Sequence, residues 1–142
     1  MKVIGFNIEE IIGKKSAELK RYNINTDVTF NSVDKTKLDV LKEEETIRVG
    51  FKFLVSYKDA EDKSNEKSNE ISILGSLLLM VDKELSKEFL KSWKNKEIPK
   101  DKIITLYNFV LRKCSVRALQ LEEDLNLQPH IPFPQVRPQG QK

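Results

Sequence analysis

A chain of 142 residues has the length of one domain with one core, since cores of roughly 100 to 150 residues are the commonest size. Its formal net charge is only +3, and 20 of its 25 cations are Lys; nucleic-acid sites concentrate Arg on one face, so charge does not point to that class. The single cysteine, Cys114, permits no disulfide within the chain and no Cys-rich metal cage, which fits a reducing compartment.

The opening MKVIGFNIEEIIG has neither a basic leader nor a long apolar core, and no run approaches the roughly 18 apolar residues of a membrane span. A cytoplasmic protein without membrane insertion is expected. Ile4, Phe6 and Ile8 alternate as in a strand, while FNIEEII also fits a helix capped by Asn7 with Glu10; the strand is the preferred reading. From Tyr22 to Asn31 apolar and polar residues alternate strictly, which predicts a half-buried strand. Thr46 to Lys58 repeats the pattern: Ile47, Val49, Phe51, Phe53, Val55 and Tyr57 share one face, and Arg48, Gly50, Lys52, Ser56 and Lys58 the other. The polar stretch Asp59 to Asn69 is expected to be a mobile connector.

From Glu70 to Val81 one strand face carries Ile71, Ile73, Leu77, Leu79 and Val81, and the opposite face adds Leu74, Leu78 and Met80, so this strand needs cover on both sides. Gly75 in its middle marks either a bulge, a close backbone approach or a weak point. Asp82 is placed to cap a helix to about Lys96, with Leu85, Phe89 and Trp93 at steps of four. Pro99 sits near the start of a second helix reaching about Leu125, with an apolar seam of Ile103, Tyr107, Val110, Cys114, Ala118, Leu121 and Leu125. Residues 1–134 are expected to form a single domain and 135–142 a flexible C-terminal tail. Four strands followed by two helices, without βαβ alternation, predict an α+β fold: a four-stranded antiparallel sheet with two C-terminal helices packed on one face.

Chemistry-bearing residues are few. His130 is the only histidine and lies in a Pro-rich run with no second His or Cys beside it, so it is expected to be structural or exposed and without a proton-transfer partner. The acidic runs Glu43 to Glu45 and Glu122 to Asp124 read as solvated faces. The five glycines are scattered and form no phosphate loop. No catalytic residue, metal site or cofactor is expected. What stands out is apolar surface in surplus: Leu74, Leu78 and Met80 as an oligomer interface or second apolar surface, the single Trp93, and a wide second helix.

From Lys102 the chain reads KIITLYNFVLRKCSVRALQLEEDLNLQPHIPFP. This resembles the end of SecB, the export chaperone, where a long helix with a Tyr and a later Cys leads into a Leu-Asn-Leu-x-Pro segment, here Leu125, Asn126, Leu127 and Pro129. The opening VIGFNIEEI resembles the family's first strand, and the strands at Tyr22, Thr46 and Glu70 stand in the places of its other three. The resemblance implies a SecB-like sheet backed by two helices, assembled as a homotetramer built as a dimer of dimers. It implies an ATP-independent holdase for unfolded or preprotein polypeptides, with a groove beside the helices that places Trp93, Ile98, Ile104 and Tyr107 nearby as client-binding residues. The family offers acidic residues on its sheet to the translocase motor SecA; here the pI is 8.9 and the sheet carries Arg48 and Lys52, so a SecA-type partner stays open. SecB-like chaperones of toxin–antitoxin systems and a non-chaperone protein-interaction adaptor are the alternatives.

Overall fold

The computed structural model describes residues 1–16, 18, 20–36, 44–60 and 68–139. Strands β1 (Lys2–Lys14), β2 (Tyr22–Thr36), β3 (Glu44–Asp59) and β4 (Ser68–Asp82) precede helices α1 (Lys83–Trp93) and α2 (Lys100–Asp124). The strands form one antiparallel sheet in the order β1-β4-β3-β2, so β3 and β4 are central and β1 and β2 are its edges. This is the expected α+β architecture. The strands flanking the expected connector run on to Asp59 and back to Ser68; residues 61–67, Glu43 and tail residues 140–142 lie outside the described residues. No described helix is long and apolar enough to cross a membrane.

Alternation decides which face is core. On β3, Ile47, Val49, Phe51, Phe53, Val55 and Tyr57 are buried, and on β4 so are Ile71, Ile73, Leu77, Leu79 and Val81. Both helices pack on this face, contributing Phe89, Leu106, Val110, Cys114 and Ala118 to one cluster. The opposite face keeps Leu74, Leu78 and Met80 half-buried and Arg48 and Lys52 exposed, on the side away from the two described helices. β1 is a strand, not a helix, but its register slips between Val3 and Gly5 and between Ile8 and Glu10. Each slip adds a residue and shifts the alternation, which is why FNIEEII reads ambiguously.

Gly75 sits opposite Ile8 of β1 on one side and Phe51 of β3 on the other. Having no side chain, it leaves room for Phe6 and Phe51 to stack across the central strand, with ring centroids 5.6 Å apart and planes within 10°. Phe109 of α2 meets Phe6 edge-on at 6.0 Å, tying helix to sheet over the same spot.

Helix α1 starts where Asp82 accepts a hydrogen bond from the Leu85 N–H at 2.7 Å. It ends in a turn closed by Lys96, whose φ of 57° is left-handed. Pro99 then sets the entry to α2. The buried line of α2 is Leu106, Val110, Cys114, Ala118 and Glu122, a strict step of four. The seam expected from sequence departs from it at both ends: Ile103 is exposed, and the line continues from Ala118 to Glu122 while Leu121 and Leu125 stay half-buried. Glu122 is therefore not on a solvated face, as its acidic neighbours suggest, but fully buried.

Two outcomes follow from this packing. An added methyl at Gly75 would fall on the Asn7 carbonyl oxygen and stand 2.8 Å from Phe51 Cζ, so Gly75→Ala should lower stability by about 1 to 3 kcal/mol, read as a lower midpoint of urea unfolding. The Cys114 thiol is buried, and burial pushes its pKa up to about 12. It should resist Ellman's reagent at pH 8 until the protein unfolds. Because the unfolded thiol ionises at lower pH, its contribution to stability should be intact below the ordinary thiol pKa and fade as pH climbs toward 12.

Candidate functional site

The described surface is concave along the seam between the edge strand β2 and helix α2. At one end Val28, Thr29 and Phe30 of β2 face Trp93, Lys96, Glu97, Ile98, Lys100, Ile103 and Tyr107 around a hollow of about 430 Å3. Next along α2, Thr26 faces Asn108, Leu111, Arg112, Ser115, Val116 and Leu119, with His130 and Ile131 closing the far side, around about 570 Å3. Residue numbers fall along β2 as they rise along α2, so helix and strand run antiparallel and the two hollows follow one another along the seam, hereafter the groove. From Ile103 to Leu119 the helix rises roughly 24 Å, the length of about seven residues of extended chain.

Trp93, Ile98 and Tyr107, named from sequence, come together in the first hollow. Trp93 and Tyr107 are half-buried, and Ile98, 5% exposed, forms part of the floor. Ile104 does not line the groove; it is 69% exposed, and Ile103, one turn before Tyr107 on the same helix face, takes that position. Lys96 Nζ lies 5.1 Å from the centre of the Trp93 ring, a cation–π contact at the groove's edge. Leu74, Leu78 and Met80 lie together on the uncovered face of β4, away from the groove.

Sequence reading missed the polar cluster behind the second hollow. Just past the end of α2, Asn126 has a left-handed φ of 54°, a conformation that Asn tolerates better than most residues. The Leu127 N–H bonds the Glu122 carbonyl at 2.8 Å, and the chain turns back along α2. His130, expected to lack a partner, has its side chain buried here: its Nδ1 lies 2.8 Å from Glu122 Oε1, and its backbone N–H donates to Glu122 Oε2 at 3.1 Å. The Tyr57 hydroxyl, from β3, bonds Glu122 Oε2 and lies 2.5 Å from the Gln128 carbonyl oxygen. Tyr22 of β2 donates to Gln128 Oε1 at 2.6 Å. The Phe53 ring meets the imidazole edge-on. Burial, and then the Glu122 carboxylate, push the Tyr57 phenol above its ordinary pKa, so it keeps its proton at any physiological pH.

His130 Nε2 also reaches Ser115 Oγ at 3.2 Å. Hydroxyl, imidazole and carboxylate thus stand in the order used by nucleophilic hydrolases. Ser115, however, sits inside α2, where the neighbouring backbone N–H groups bond the carbonyls one turn back; they cannot serve as the donor pair that a tetrahedral oxyanion requires. Among the described residues no group of three His, Cys, Asp or Glu is placed to hold a metal ion. What the seam offers is an open apolar trough with a polar rim.

No protein-family model matches the chain, and no curated protein is significantly similar in sequence. Among solved structures, it is similar to the SecB-like chaperone of Mycobacterium tuberculosis in complex with a peptide from the HigA1 antitoxin, at 12% identity and a TM-score of 0.49, over 96% of this chain and 91% of that one.

Trp93 is the only tryptophan, so tryptophan emission, excited selectively over the three tyrosines, reports this groove alone. A half-buried indole should be quenched by acrylamide in the folded protein, between a buried indole and a free one. Emission that acrylamide leaves untouched would place Trp93 in the core instead.

Proposed function

We propose that the chain is a SecB-like, ATP-independent holdase that binds unfolded or preprotein polypeptides in the groove between β2 and α2. The observation that carries this reading is the groove itself: an open seam about seven extended residues long, lined by Val28, Phe30, Trp93, Ile98, Tyr107, Leu111 and Val116. Apolar burial is non-directional and worth roughly 25 cal/mol per Å2, so such a trough accepts many sequences through several weak contacts. Aromatic side chains add broad contact area at low entropic cost, and Trp93 and Tyr107 stand on one wall. Preproteins and antitoxins are equally suitable occupants, because the lining recognises apolar side chains in an extended chain and not a particular sequence. In this reading copies of the chain meet on the uncovered sheet face, where Leu74, Leu78 and Met80 lie, and assemble as a dimer of dimers.

The test is capture of guanidinium-denatured citrate synthase on dilution, followed by light scattering without ATP. The parent protein should suppress aggregation at near-stoichiometric amounts. Trp93→Ala and Tyr107→Ala, checked for folding by circular dichroism, should each weaken capture about 5- to 30-fold, the equivalent of roughly 1 to 2 kcal/mol of lost contact. Ile104→Ala, outside the groove, should leave capture unchanged. Folded Trp93 and Tyr107 variants that hold the client as well as the parent would overturn the groove assignment.

A further inference from the structure

The second hollow is walled on its far side by a segment that has no regular secondary structure, yet two of its residues, His130 and Ile131, face the groove. A stretch such as Gln128–Pro129–His130–Ile131 would not hold one position by its own backbone bonding. Its fixed contacts instead converge on α2 and the sheet. The Gln128 carbonyl oxygen lies against Tyr57 Oη and the Gln128 side chain receives Tyr22; the His130 N–H and imidazole both reach Glu122. Glu122 has no exposed surface, and a buried carboxylate is costly unless its acceptor sites are filled. Here donors reach it from β3 and from the returning segment, and the burial cost is offset only while that segment stays docked.

We infer that Glu122 is a latch that locks Gln128–Ile131 in place as the end wall of the groove, and that this wall is part of the binding surface. The inference rests on the proposed polypeptide-binding role for its second half, since a wall matters only if something occupies the trough. Glu122 touches no occupant; it is a positioning residue that acts through His130 and Ile131. Ile131, 39% exposed and facing the hollow, is the wall residue placed to touch an extended chain.

The experiment compares the full-length parent with Glu122→Gln and Ile131→Ser by two independent readouts. The first is hydrogen exchange at the His130 amide, the N–H of this segment that donates to Glu122, with α2 and β3 as internal controls. Glu122→Gln keeps the shape of the side chain but turns one of its oxygens into an amide donor; it should raise exchange at the His130 amide at least about 10-fold while α2 and β3 stay protected. Ile131→Ser should leave exchange at the parent's level. The second readout is capture of denatured citrate synthase, which both variants should weaken about 3- to 10-fold. Should Glu122→Gln fail to fold, Tyr57→Phe removes the hydroxyl from the same cluster without changing ring volume, and should also raise exchange at the His130 amide. Unchanged exchange in the folded latch variant overturns the latch. Raised exchange with parental capture in both variants overturns the wall as a binding surface. If the parent itself captures no client, the polypeptide-binding reading falls and the wall's role with it, whereas the exchange data still decide the latch.

Discussion

Nearly everything in this chain depends on one constraint: the large apolar side chains of β3 and β4 that are fully buried point to one face of the sheet, so both helices must share it. A helix with its side chains is about 10 Å wide and neighbouring strands are about 4.8 Å apart, so one helix covers roughly two strands. The buried line of α2 lies over the central strands, whose inward residues are all but inaccessible. α1, with only 11 residues, covers a short length of a sheet whose edge strand β2 has 15. The inward side chains of β2 beyond α1 therefore have α2 on one flank and no second helix on the other. The groove is what remains of that mismatch, and it is open because β2 is an edge.

The same constraint explains how much the sequence discloses. Strict period-two alternation on β3 and on most of β2 and β4 reads directly as one buried face, and Asp82 and Pro99 mark the helix starts by capping and by fixed φ. β1 is harder, because its bulges at Ile4 and Glu9 break the alternation that would identify it. The seam of α2 was legible in its middle but not at its ends. Mixing steps of three and four leads from Ala118 to Leu121 and Leu125, whereas the helix follows steps of four and brings Glu122 inward. An acidic residue beside Glu123 and Asp124 looks solvated, and the hydroxyl that offsets its burial lies 65 residues away, on β3. The one available signal was positional: Glu122 continues the series Leu106, Val110, Cys114, Ala118.

His130 was opaque for a related reason. A lone imidazole in a Pro-rich run carries no local sign of its partner, since the partner is reached only after Asn126 reverses the chain. The Leu125-Asn126-Leu127 sequence has a structural role of its own. The Asn takes the left-handed position that closes the helix, and Leu127 returns its N–H to the Glu122 carbonyl. That turn sends the following residues back toward β3 and not away into solvent, which is how a segment without regular structure comes to bound a site built from a helix and a strand.

The chemistry of the groove is divided accordingly. Its apolar lining comes from α2, the approach to it and β2, elements whose positions the core fixes, so the trough is preformed. Its polar groups are placed differently. Lys96, Glu97, Lys100 and Arg112 stand among the lining residues with long, mobile side chains, while the one strong polar cluster, around Glu122, faces inward and is satisfied within the chain. In the proposed role, a groove with an apolar floor and a charged rim would favour no particular sequence, because the buried Glu122 carboxylate behind it is bonded within the chain. Under the proposed polypeptide-binding role, permissive binding would follow from keeping Glu122 bonded inside: its donors belong to the protein's own wall, so an incoming chain would meet apolar side chains and a charged rim.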